Sequence, residues 1–329
     1  MSPSPNETLL SQVPKKWSLY PPMLLLQTGT FDTIEWEDEF AKLDSVLKNK
    51  FWQYLLSKNF PGITHVAINK PIIESDIQRR PFNIFPLYGD FGPQVPFESE
   101  PTANDLQQAF WCTVVQNGIH QTWAPKYTMF SRGNIKEKKR LLDSYKDLNG
   151  QTVLDLYAGI GYFTLSYLKN GATVFCWELN PWSVEALVRG CNKNKFGVRV
   201  IAKDEIFSKK VYNELVKNGV KAFIFNESNE TAISRMNQLG EHVPLSHVNL
   251  GLLPSSKPSW PLVVDLIHNH STKRKTLVHI HENCHIQEFE KLKVEIENYF
   301  ATSQFIHLEQ VKTFAPDIWH VVIDIEVGK

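Results

Sequence analysis

The segment best equipped for chemistry is Asp155-Leu156-Tyr157-Ala158-Gly159-Ile160-Gly161-Tyr162-Phe163. An acid closes a short apolar run, and two glycines then let the backbone turn tightly against a ligand before a helical pattern begins. Glu178 closes the next apolar run, where a carboxylate can accept hydrogen bonds from ribose hydroxyls. A dinucleotide fits poorly. The third glycine of G-x-G-x-x-G would fall at Thr164, and a phosphate-binding turn has no use for the carboxylate of Asp155. A carboxylate there suits an ammonium or sulfonium group, which favours S-adenosylmethionine over NAD. Asp204, just past a third apolar run, is placed to border the adenine pocket.

These residues need a parallel sheet beneath them. Short apolar runs at residues 153–156, 172–177, 198–202, 247–253 and 276–281 read as strands. Helical patterns lie at 162–168, 181–194 and 286–299, and an amphipathic helix at 260–267 packs on the sheet. Strands alternating with helices predict an α/β fold, a doubly wound, Rossmann-like and mainly parallel sheet. Residues 306–311 and 319–327 read as a closing hairpin at one sheet edge. The stretch 206–244 has no assignment. Upstream, a helix over 44–58 is read from Leu43, Leu47, Phe51 and Leu55, with strands at 64–69 and 109–115 and turn chemistry over 81–96. This part reads as a small α+β domain. The expected organisation is an N-terminal domain over 1–120 and a catalytic domain over 121–329.

Length and composition agree with two globular domains: 329 residues, 42% hydrophobic and 21% charged. The four cysteines are far apart and form no C-x-x-C, which argues against a disulfide scaffold, a zinc ribbon or a radical iron–sulfur cluster. Free thiols suit a reducing compartment. The first six residues lack the charged and apolar regions of a signal peptide, and no apolar run approaches a membrane span. A cytoplasmic protein with no membrane partner is expected, a monomer rather than an obligate oligomer. Net charge is zero, but residues 1–120 hold 9 basic against 13 acidic side chains, leaving 26 against 22 in the remainder. The basic excess peaks over 126–146, at Lys126, Arg132, Lys136, Lys138, Lys139, Arg140 and Lys146. Such a run is ordinarily a solvated helix face and gains meaning only beside a site.

Several segments carry a family resemblance. They are T-H-V-A at 64–67, P-L-Y-G-D-F at 86–91, W-A-P-K-Y-T-M-F-S-R-G-N at 123–134, the glycine turn, and H-V-N-L-G-L-L-P-S-S at 247–256. The glycine turn is common to many methyltransferases, whereas the two long segments are far more specific. The chain resembles, from about residue 65 onward, the tRNA wybutosine-synthesizing protein 2 family of fungal type.

The resemblance implies transfer of the 3-amino-3-carboxypropyl group of S-adenosylmethionine to a carbon of 4-demethylwyosine in phenylalanine tRNA, with release of methylthioadenosine. It implies cofactor contacts at Ser131, Lys138, Glu178 and the Asp204–Glu205 pair, the last of which departs from the family's Asp-Asn. Where amine methyltransferases often carry N-P-P-Y, this chain has Asn249-Leu250-Gly251-Leu252-Leu253-Pro254, which suits a carbon rather than an amine nucleophile. Lys138 is expected to pair with the methionine carboxylate, with Ser131 adding a hydrogen bond and Asp155 near the ammonium. Asp155, Asn249 and water are open as proton acceptors. Arg132, Lys126, Tyr127, Asn249 and Pro254 are candidate substrate contacts, and Trp123, Tyr127, Phe130 and Tyr157 are candidate stacking partners for the base. The tRNA is expected to be held near its anticodon through phosphates. A tRNA methyltransferase on the same scaffold and a non-catalytic tRNA-binding member are the alternatives.

His281-Glu282-Asn283-Cys284-His285 matches H-E-x-x-H, which binds zinc when both histidines share a helical face. The alternating pattern before it instead ends a strand at His281 and starts a helix at His285. His279 and His281 then read as surface residues at a strand end, and no metal is expected.

Overall fold

The computed structural model describes residues 5–69, 84–96 and 98–328. The first four residues, on which most of the leader reading rests, and residues 81–83 of the turn segment expected over 81–96 lie outside the described residues. The chain divides into two compact units, Met1–Val114 with Thr122–Phe130, and Val115–Gln121 with Ser131–Lys329.

In the first unit, β1 (Trp17–Tyr20), β2 (Met23–Gln27), β3 (His65–Asn69) and β4 (Ile84–Tyr88) form a sheet in that order. The β2–β3 pair is parallel and the flanking pairs are antiparallel. The strand β4 replaces part of the expected turn segment. Its Pro86 is tolerated because β4 is an edge, where a missing N–H costs no ladder bond. Helices α1 (Pro5–Ser11), α2 (Ile34–Ala41), α3 (Ser45–Asn59) and α4 (Ala103–Gln108) complete the unit. Asp44 caps α3 by accepting from the Leu47 amide at 2.8 Å. The buried face of α3 carries Trp52 and Leu56, one position on from the expected stripe, and Leu47 is exposed. The large Trp52 ring sets the helix rotation by packing among Phe31, Phe40 and Phe51. Strands β5 (Cys112–Gln116) and β6 (Ile119–Trp123) make a hairpin whose tip belongs to the second unit.

The second unit is built on eight strands: β7 (Thr152–Asp155), β8 (Thr173–Trp177), β9 (Gly197–Ile201), β10 (Val220–Phe225), β11 (Leu245–Leu250), β12 (Lys275–His285), β13 (Ser303–Ala315) and β14 (Ile318–Gly328). Their order is β13-β14-β12-β11-β7-β8-β10-β9, with only the β14 pairings antiparallel. The expected α/β doubly wound sheet and its edge hairpin are therefore present. Helices α5 (Ile135–Ser144), α6 (Thr164–Lys169) and α7 (Pro181–Lys193) cover one face, while α9 (Ala232–Leu239), α10 (Trp260–His270) and α11 (Phe289–Tyr299) cover the other. Period-two alternation sends Val153, Val174, Cys176 and Ile224 to the first layer and Leu154, Phe175, Trp177 and Phe225 to the second.

The unassigned stretch forms α8 (Lys209–Lys217), β10 and α9. Thus β10 slots between β8 and β9, and the third strand read from the sequence becomes the sheet edge.

Candidate active site

The glycine turn leaves β7 as expected. Gly159 and Gly161 have φ of +54° and +86°. A Cβ on Gly161 would stand 2.5 Å from Leu187 Cδ1, so helix α7 packs hard against this turn. Glu178 closes it from the end of β8. One carboxylate oxygen accepts from the Gly159 amide at 2.8 Å and the other from the Asn180 amide at 2.7 Å. Burial pushes the Glu178 carboxyl up to about 7, against the pull of these amides.

Asp155 is wholly buried. It accepts from the Thr164 hydroxyl at 2.6 Å and from Asn249 Nδ2 at 3.2 Å. Its desolvation raises its pKa despite these bonds. Both oxygens are thus spent inside the turn, and Asp155 positions the strand ends rather than facing an ammonium. Asn249 sits opposite Asp155 in the sheet, and His279 and then Asp324 continue the same row across β12 and β14.

Lys138 is 3% exposed on α5. Its ammonium donates to Gln116 Oε1 at 2.9 Å and Gln121 Oε1 at 2.6 Å, and stands over the Tyr162 ring. Gln121 Nε2 reaches the Gly161 carbonyl at 3.4 Å, tying this lysine to the glycine turn. Burial, with the charge of Lys312, pushes the Lys138 ammonium down to about 7. Lys312, on β13, donates to Ser131 Oγ at 3.1 Å, and Ser131 donates to Asn134. Lys138 thus stands beside the turn within reach of the Lys312 charge, and Lys312 in turn holds the Ser131 hydroxyl, an arrangement that suits a carboxylate. Lys312 is invisible in the sequence pattern, because only the pairing of β13 with β14 brings it here.

Past β9, Asp204 is exposed, while Glu205 folds back to accept from Arg199 at 3.1 Å and the Ala202 amide at 3.2 Å. Buried Arg235 fixes this loop from α9 by donating to the carbonyls of Ala202, Lys203 and Glu205 while paired with Glu227. The previously unassigned stretch therefore anchors the loop that carries Asp204.

The substrate candidates separate. Pro254 and Arg132 are exposed in the second unit, and Asn249 is buried there. Lys126 and Tyr127 belong to the first unit. Lys126 donates to the carbonyls of Gly92 and Pro93. Tyr127 is 2% exposed with its hydroxyl on the Pro93 carbonyl, and Trp123 is 3% exposed, so both rings serve the core and not base stacking. Phe130 and Tyr157 are half-buried. The basic run is also mostly spent within the fold. Lys138 is buried, Arg140 pairs with Glu137 and Asp324, Lys136 with Glu309 and Lys139 with Asp143.

The H-E-x-x-H residues differ from expectation. His281 and His285 both lie on the single strand β12, and His285, its last residue, also caps the helical turn that leads into α11, as expected. His279 and His281 are not at the surface; their exposures are 0% and 1%. Continued pairing with β14 accounts for both differences, because β12 stays registered on that strand out to His285.

The TRM5/TYW2 methyltransferase domain model matches residues 113–227 of this chain. The tRNA wybutosine-synthesizing protein 2 of Saccharomyces cerevisiae is 40% identical over 369 aligned residues, covering 97% of this chain and 75% of that one. The chain belongs to the tRNA wybutosine-synthesizing protein 2 family. The Schizosaccharomyces pombe member is also 40% identical, across 95% of this chain and 73% of its own length. The solved structure of TYW2 from Pyrococcus horikoshii in complex with MeSAdo shares the fold, with a TM-score of 0.62 at 20% identity over 98% of this chain and 94% of that one. As a member of the wybutosine-synthesizing protein 2 family, the chain is an S-adenosylmethionine-dependent transferase. Among its described residues no helix is long and apolar enough to cross a membrane.

Proposed function

We propose that this protein transfers the 3-amino-3-carboxypropyl group of S-adenosylmethionine to carbon 7 of 4-demethylwyosine at position 37 of tRNA(Phe), releasing methylthioadenosine. The observation that carries the reading is Lys138 tied to the Gly159–Gly161 turn and felt by the charge of Lys312, which holds Ser131. Residues fit the donor at both ends. Glu178 keeps lone pairs for the ribose hydroxyls while its backbone bonds hold it still. Lys138 and Lys312 hold the methionine carboxylate, with Ser131 between Lys312 and Asn134 Oδ1. When bound, the sulfonium supplies three activated carbons, and the protein selects among them by placement. Anchoring the carboxylate fixes the amino-acid arm, so the γ-carbon rather than the methyl group is presented to the base. Placement of this kind is a large catalytic contribution for a displacement.

Asp204 borders the adenine, on a loop that Arg235 holds in place; Glu205 supports that loop. Asp155 holds Asn249 and Thr164 in position. Residues 121–329 carry the catalysis, and the N-terminal domain contributes to holding the anticodon region. Arg132, Asn249 and Pro254 lie on the acceptor side, with Tyr157 left as a stacking partner. The protein works as a cytoplasmic monomer.

The nucleoside released from the donor tests the reading. Turnover with tRNA(Phe) bearing 4-demethylwyosine should release methylthioadenosine; release of adenosylhomocysteine would mean methyl transfer and would overturn it.

A further inference from the structure

The acceptor carbon loses a proton when the new carbon–carbon bond forms, and neither Asp155 nor Asn249 can take it. Asp155 is wholly buried and holds Thr164 and Asn249, and an amide is not a base at working pH. A second buried group lies beside them. His281 on β12 and His320 on β14 are each 1% exposed, and His281 Nδ1 meets His320 Nε2 at 2.9 Å. The outward atoms of the pair, His281 Nε2 and His320 Nδ1, have no hydrogen-bond partner among the described residues, and nor does Asn249 Oδ1. Native interiors seldom leave several buried polar atoms unmatched in one place, and such atoms call for a functional account.

The placement is specific. The His281 ring packs on Phe163, the last residue of the glycine turn, with centroids 4.8 Å apart. Gly251 touches both Phe163 and Asn249, so a Cβ there would stand 3.3 Å from the one and 3.2 Å from the other. His320 registers opposite Lys312, the lysine that reaches Ser131. The pair thus lies between the turn that holds the nucleoside and the cluster that holds the carboxylate. The γ-carbon of the donor has to lie between those same two anchors.

An N–H···N bond between two neutral imidazoles has a fixed logic. If His281 Nδ1 carries the shared proton, His281 Nε2 is a bare acceptor and His320 Nδ1 carries a hydrogen. Accepting a proton at one outward nitrogen and releasing one at the other exchanges the tautomers, with no net charge left buried. We propose that the His281–His320 pair is the proton relay of the transfer, with His281 Nε2 taking the proton from the acceptor carbon. The proposal rests on the aminocarboxypropyl reading above. In the balanced step, the acceptor carbon bonds to the γ-carbon and the sulfur–carbon pair returns to sulfur, giving the neutral thioether of methylthioadenosine. The carbon–hydrogen pair then restores the ring, and its proton passes to His281 Nε2 while His320 Nδ1 gives one to a water molecule, which carries it to solvent. Burial disfavours the charged form of both rings, joined at His281 by the His320 imidazole and at His320 by the Lys312 ammonium. They therefore enter the reaction neutral. A weak base suffices, because the alkylated cationic ring is a strong carbon acid.

The test is single turnover with acceptor tRNA carrying hydrogen or deuterium at the reacting carbon, in the full-length protein and in the His281→Asn and His320→Asn variants. The wild-type enzyme should show little isotope effect. Each variant should lose about a hundredfold in rate and gain a primary isotope effect, as deprotonation becomes limiting. Binding of methylthioadenosine should be unchanged in both. A variant of normal rate, or a slow variant without an isotope effect, would overturn the relay. A purely structural loss slows the enzyme without changing which bond limits it. Should both variants fail to fold, histidine nitrogen-15 spectra of the native protein decide. Two neutral rings with opposite outward protonation support the pair, and an imidazolium at either position overturns it. A wild-type enzyme that forms no aminocarboxypropyl product would instead defeat the functional reading itself.

Discussion

Glu178 and Gly159 are joined by a 2.8 Å hydrogen bond from the glycine amide to a carboxylate whose other oxygen is held by Asn180. The same carboxylate caps the turn and is the group we assign to the ribose hydroxyls, so its ionisation governs both. Burial places its pKa at about 7. Ribose hydroxyls donate to the ionised form, so binding lowers this pKa and releases a proton below it. Affinity for methylthioadenosine, which has the ribose but lacks the arm that Lys138 holds, should therefore rise with pH through about 7 and then level off. Calorimetric titration across that range checks this, and Glu178→Gln should weaken binding and remove the rise.

Lys138 and Lys312 are assigned to the amino-acid arm, which methylthioadenosine lacks. Lys138→Ala and Lys312→Ala should each raise the Kd for S-adenosylmethionine by about tenfold or more, the scale of one charge-assisted hydrogen bond. The Kd for methylthioadenosine should barely move. Equal losses for both ligands would show a general disturbance of the site.

Gly161 is locked by conformation and by space. Its φ is +86°, and an added Cβ would stand 2.5 Å from Leu187. Gly161→Ala should cost about 1–3 kcal/mol from the backbone alone, with the clash adding to it. A thermal melt reads this directly, and donor binding should fall in parallel.

How much of this was legible in the sequence follows from where each residue sits. The glycine turn and Glu178 stand at the ends of consecutive apolar strands, so local pattern places them together. The α/β sheet and its closing hairpin followed from the same alternation. Lys312, Gln121 and His320 carry no local signal, because sheet order and hairpin pairing bring them to the turn from distant segments. The face of α3 was legible in part: Phe51 and Leu55 pack on the core as the spacing suggests, while the Trp52 ring and Leu56 go deepest. His279 and His281 resembled surface residues because a histidine-rich strand does not announce that β14 and the helices cover it. The stretch containing β10 lacked a reading because the strand enters between two others, out of sequence order.

Arg235 is the buried tie between α9 and the loop after β9, and it is 3% exposed. Removing its guanidinium leaves Glu227 buried without its partner. Arg235→Ala should cost about 3–5 kcal/mol. It should also weaken S-adenosylmethionine binding through Asp204, and methylthioadenosine binding equally, since both ligands carry the adenine. Denaturant unfolding and ligand titration on the same preparation separate the two effects.

The most direct test of the central claim is the mass of the acceptor nucleoside after incubation with S-adenosylmethionine and tRNA(Phe) bearing 4-demethylwyosine. The account predicts a gain equal to one aminocarboxypropyl group, with an equimolar amount of methylthioadenosine. A gain equal to one methyl group, or no gain from a protein that binds the tRNA tightly, would contradict it.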